Sequence, residues 1–105
     1  MTVRDVVVSA TARSELRNIT SCLASFGSVT ARSFARELDR KVASLREGVV
    51  EYPYARHPEL AAAGYRVALV KSYLLLYKVN PDGSVGIAHV FHQSQDYASL
   101  VTEIR

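Results

Sequence analysis

Few side chains in this sequence could act on a substrate. His92 is the best candidate for a general acid or base, because histidine is the side chain that titrates near neutral pH. It follows an apolar stretch, so its plainer role would be a structural hydrogen bond at a strand end. His89 and His92 invite a metal reading, but residues i and i+3 of a strand point to opposite faces. No cluster of Cys, Asp or Glu supports a metal site, so none is expected. Six tyrosines supply most of the aromatic surface. Tyr73 and Tyr77 fall on one face of one strand with Leu75 between them, a pattern that suits core packing and, less often, stacking on splayed bases. From Ala31 to Arg46 five cations (Arg32, Arg36, Arg40, Lys41 and Arg46) face two acids, Glu37 and Asp39. That run makes either a solvated helix face or a binding face.

The chain that must position these residues has 105 residues, enough for one domain spanning 1–105. Hydrophobic residues make up 49% and charged residues 22%, which excludes a disordered chain. The net charge of +3 is a mild excess, a weak pointer to nucleic acid that fits an acidic protein partner equally well. No apolar run approaches the ~20 residues of a membrane span. The N-terminus carries no signal-peptide core, and the single Cys22 cannot form an internal disulfide, so a cytoplasmic location is expected. Cys22 sits mid-helix and reads as a small hydrophobe.

Local patterns give the elements. Val3 to Val8 is β-branched and reads as a strand. Ser9 or Thr11 offers an N-cap, and Ala12, Leu16, Ile19, Leu23 and Phe26 form one helical stripe ended by Gly27. Ala31, Phe34, Ala35, Leu38, Val42 and Leu45 form a second stripe, stopped by Gly48. About three residues join the helices, so they must fold back as an antiparallel hairpin. Val49 to Gly64 reads as a loop with one helical turn at Pro58–Ala62. Three strands follow, Tyr65–Val70, Tyr73–Val79 and Val85–Phe91. They are joined by Lys71-Ser72 and by the turn Asn80-Pro81-Asp82-Gly83. Asp96 to Arg105 closes the chain as a short amphipathic tail. The expected fold is α+β, a β-α-α-β-β-β meander with a helical hairpin on one antiparallel-dominated sheet and a short C-terminal helical tail.

The order of elements resembles that of the RelE/ParE superfamily of type II toxin–antitoxin (plasmid-stabilisation) toxins. Four stretches carry the resemblance: Ser9-Ala10-Thr11-Ala12 with Leu16, Gly64-Tyr65-Arg66, Tyr73 through Val79, and Val90 through Tyr97 with its His then Asp-Tyr. It covers essentially the whole chain. It implies a toxin silenced by a cognate antitoxin and needing no cofactor. One branch of the family cleaves mRNA on the ribosome; the other inhibits DNA gyrase without nuclease chemistry. If the chain is a ribosome-dependent mRNA endonuclease, the resemblance implies a catalytic set of His92, Tyr97 and Arg66. His92 would be base or acid, Tyr97 a proton donor or stacking ring, and Arg66 a bidentate phosphate clamp. Lys71, Lys78 and Tyr73 would contact RNA. The alternatives are a non-enzymatic gyrase inhibitor and an inactive module that only binds its antitoxin. Where the nuclease branch carries an arginine before Leu-x-Tyr, this sequence has Leu74, and its helices are long, as in the gyrase branch. In every case the acids of the antitoxin are expected on Arg32, Arg36 and Arg40.

Overall fold

The computed structural model describes residues 4–48 and 52–93. Its elements follow the expected order: β1 (Val6–Val8), α1 (Ala10–Ala24), α2 (Ser28–Glu47), α3 (Pro58–Ala62), β2 (Tyr65–Val70), β3 (Tyr73–Val79) and β4 (Val85–His92). Val3 and the tail from Asp96 to Arg105 lie outside the described residues.

Ser9 is the N-cap of helix α1. Its backbone is extended, and its Oγ accepts the Ala12 amide at 3.0 Å while donating to the Ala88 carbonyl at 2.8 Å. One hydroxyl therefore caps the helix and ties it to β4. The turn between the helices passes through Gly27 at φ +135°, where a side chain would strain the backbone. Because α1 stops at Ala24, Phe26 leaves the helical stripe and is 77% exposed, contrary to the expected pattern. Ala35 is also exposed. Helix α2 begins at Ser28, earlier than its apolar stripe, and ends at Gly48 in the left-handed conformation. There the Arg4 amide donates to the Arg46 carbonyl at 2.7 Å and its Nε to the Leu45 carbonyl at 3.1 Å. A cation thus sits where the helix dipole favours one.

The sheet order is β1-β4-β3-β2. β1 pairs parallel to β4, and the other two pairings are antiparallel. The helical hairpin covers one face. Ala12, Phe34 and Leu45 meet Ala68, Val70, Leu75, Tyr77, Val85, Ile87 and Val90 in one buried cluster. α3 and Ala55 cover part of the other face around Leu76. Between Leu76 and Tyr77 the register slips, pairing them with His89 and Ile87, so Ala88 is the extra residue of a β-bulge. The bulge turns Val90 and His92 to the helix side and His89 to the opposite face.

Candidate functional site

Register fixes where the expected site residues stand. Tyr73 pairs with His92 beside the Lys71-Ser72 turn, whereas Arg66 pairs with Tyr77 and Lys78 with Tyr65 at the far end of the same strands. The set therefore divides. Lys71, Tyr73 and His92 gather at one end, and Arg66 and Lys78 at the other. Four residues along the strand and two strands across put the Arg66 and His92 backbones roughly 16 Å apart. Tyr97 lies outside the described residues.

At the turn end, the His92 ring meets the Tyr73 ring edge-on at 5.2 Å, and Tyr73 meets Phe34 of α2 in the same way at 5.2 Å. Tyr73 belongs to the margin of the helix-side core. His92 is half-buried, so its ring is accessible but braced. Lys71 is exposed and holds φ +56°, the one positive φ outside glycine among the described residues.

At the other end, the Arg66 guanidinium donates to the Tyr52 carbonyl at 2.7 Å and lies over the Tyr54 ring, 4.0 Å from its centroid. A carbonyl and a ring thus hold the guanidinium. The reason is local. Residues 53–55 run along the outer edge of β2, with the Val67 amide donating to Pro53 and the Ala55 amide to Tyr65. This places Tyr52 and Tyr54 against the Arg66 side chain. Lys78 Nζ lies 5.6 Å from the Tyr65 ring. Tyr77 is buried, and burial is the main cause that raises its hydroxyl above its ordinary value of 10.0. That oxygen accepts the Tyr52 amide at 3.3 Å.

Two features escaped the sequence. Glu15 of α1 accepts the Val90 amide at 3.0 Å, closing the edge of β4 beyond β1, and the same oxygen lies 3.5 Å from Nδ1 of buried His89. A groove of about 510 Å³ runs around the β2 edge between Tyr52, Tyr54 and Leu69. Among the described residues no group of three or more His, Cys, Asp or Glu could hold a metal ion, and no helix is long and apolar enough to cross a membrane.

A family model describing the ParE toxin of the type II toxin–antitoxin system parDE matches residues 6–97. The chain belongs to this ParE toxin family. Among solved structures, a chain of the chromosomal ParDE TA system from P. aeruginosa superposes with a TM-score of 0.66. The superposition covers 86% of this chain and 96% of that one. At 13% identity the likeness is one of fold. Comparison with curated proteins returns no match. Membership makes the chain a toxin of a type II module and implies a cognate antitoxin.

Along α2 the exposed Arg32, Arg36 and Arg40 follow one another at four-residue steps and so form one stripe. Arg32 reaches Ser28 Oγ at 3.3 Å and Arg40 pairs with Glu37 at 3.3 Å. Both contacts are solvent-exposed and weak enough to be exchanged for a partner's carboxylates.

Proposed function

We propose that the chain is a single toxin domain acting in the cytoplasm, silenced by a protein antitoxin, and that it arrests growth by binding DNA gyrase rather than by cutting RNA. One observation carries the choice. Arg66, the cation that a phosphate-cleaving set would need beside His92, is committed to the Tyr52 carbonyl and the Tyr54 ring at the other end of the sheet. RNA cleavage needs a proton-transfer group and a cation within reach of the same phosphate. Leu74, at the position where the nuclease branch carries arginine, supports the same reading, as does the ParE family match. His92 with Lys71 and Tyr73 at the turn end is what favours the nuclease alternative.

The deciding experiment runs two assays with one preparation: gyrase supercoiling, and cleavage of mRNA bound to ribosomes. Inhibited supercoiling with intact mRNA is expected; cleaved mRNA with unaffected gyrase overturns the reading. His92→Ala and His92→Gln report independently. Loss of a general acid or base costs about 10²–10⁴ in rate, so a nuclease would lose toxicity in both variants. A gyrase inhibitor keeps toxicity in folded His92→Gln. In this reading the acids of the antitoxin meet the exposed guanidinium groups of Arg32, Arg36 and Arg40.

A further inference from the structure

The tip of the helical hairpin is uncharged. From Asn18 to Ala31 fourteen consecutive residues carry no charge, although charged residues make up 22% of the chain. Ten of the fourteen are exposed, on the end of α1, the turn at Gly27 and the start of α2. Water-facing helix surfaces are ordinarily charged, and loss of charge around an exposed aromatic side chain marks the centre of a protein contact. Here Phe26 is 77% exposed and Val29 76%.

Beside them a hollow of about 370 Å³ opens between the hairpin tip and the Lys71-Ser72 turn. Leu23, Val29, Phe34 and Tyr73 give it apolar walls, and Lys71 is the charged member of its lining. An apolar space of about 150 Å³ already takes up a benzene ring, so a phenyl side chain fits. Phe26 does not line the hollow of its own chain. Its amide closes the last turn of α1 on the Leu23 carbonyl at 3.0 Å, and its ring stands in solvent. A protruding ring and a ring-sized hollow on one patch are self-complementary, as a two-fold contact between identical surfaces requires.

We propose that two copies of this chain dock tip to tip about a two-fold axis, the Phe26 ring of each entering the hollow of the other against Phe34 and Tyr73, with Lys71 over the inserted ring. Each copy carries a net charge of +3, and the uncharged tip is where two copies approach with least repulsion. The Lys71 ammonium facing a ring adds a cation–π attraction. A partner recognised by charge has better surfaces elsewhere. An acidic segment meets more cations on the Arg32, Arg36 and Arg40 stripe, and a nucleic acid needs several cations where the hollow offers Lys71. A standard interface takes roughly 20–30 residues a side, and the tip with its hollow offers about half that, so the dimer is weak, with Kd roughly 10–100 μM. Dimerisation covers Tyr73 and with it the face beside His92, whose ring meets Tyr73 at 5.2 Å. The contact involves neither gyrase nor ribosome, so it stands apart from the choice of target.

Sedimentation equilibrium of the purified chain, from about one-tenth to ten times that Kd, gives the test. A monomer–dimer equilibrium that salt does not weaken is expected, because no ion pair holds the contact. Phe26→Ala removes the ring and should weaken association by about thirtyfold. Ser33→Trp blocks the hollow, whose lining includes Ser33, and should do the same while keeping the ring. Neither position is buried, so thermal melts of both variants should stay cooperative. An equimolar mixture of the two retains one ring and one open hollow, and should recover association that neither shows alone. Lys71→Asn should weaken the dimer by about two- to fivefold. A chain that stays monomeric at the highest concentration, a Phe26→Ala variant that dimerises like the wild type, or a mixture no better than its components overturns the proposal. So does a monomeric chain whose inhibition of gyrase falls in Phe26→Ala, since the patch then belongs to the target.

Discussion

Removing the Glu15 carboxylate should be felt at β4, seventy-five positions away in sequence. β1 covers β4 only at Val85, Gly86 and Ile87. Beyond them the outer edge of β4 is closed by side chains of the α1 end: Ser9 on Ala88, Glu15 on Val90. In Glu15→Ala the Val90 amide loses a charged acceptor at 3.0 Å. Hydrogen bonds to charged groups contribute about 1.5–3 kcal/mol. Glu15 is 23% exposed, so water partly replaces the lost acceptor. Alanine also returns a few tenths of a kcal/mol in helix propensity. The expected net loss is about 1–2 kcal/mol, or roughly 5–10 °C in Tm for a chain of this size. Glu15→Gln keeps an acceptor oxygen and should lose less than half as much. Urea unfolding of the three proteins, with Ser14→Ala as an exposed control on the same helix, gives the comparison. Amide exchange at Val90 should accelerate in Glu15→Ala in step with the stability change. If Glu15→Ala is no less stable than Ser14→Ala, the carboxylate does not close this edge.

Four further outcomes follow from the same structure. Burial raises the Tyr77 hydroxyl above 10.0, so its stabilising effect is full below that pH and fades as pH climbs past it. Tyr77→Phe should cost about 1 kcal/mol at neutral pH by orphaning the Tyr52 amide, and should flatten the alkaline limb of the Tm profile. Asp82 is held below its ordinary 3.8 chiefly by the Ser84 hydroxyl, with the Ser84 amide adding to it. Its contribution is therefore full above that value and disappears as pH falls through the lower folded one, and Asp82→Asn should remove this part of the acid limb. Lys71→Asn, at the φ +56° position, should stabilise the hairpin by about 0.5–1 kcal/mol in thermal melts. Charge reversal at Arg32, Arg36 and Arg40 together should weaken antitoxin binding and flatten its salt dependence; unchanged affinity in a binding titration would remove the stripe from that interface.

The sequence by itself determined the elements and their order. Ser9 as a cap, the apolar stripes through Leu16 and Leu38, the glycines after each helix and the Asn80–Gly83 turn all act through neighbours a few residues away. In the turn the Gly83 amide donates to the Asn80 carbonyl at 2.9 Å, as Pro81 and Gly83 foretell. The buried same-face pair Leu75 and Tyr77 was legible for the same reason, because period two needs no knowledge of a partner strand. Tertiary structure decided the rest. Strict alternation from Val85 would send His89 and Phe91 to the helices. The bulge at Ala88 sends Val90 and His92 there instead, and the Ala88 carbonyl accepts the Ser9 hydroxyl from 79 positions away. Arg66 looked like a free phosphate clamp until residues 53–55 were laid along β2, bringing a carbonyl and a ring to its guanidinium. The groove around the β2 edge arises from the same placement. Register and edge coverage are set by which strands meet, and that depends on long-range pairing energies that no local pattern encodes.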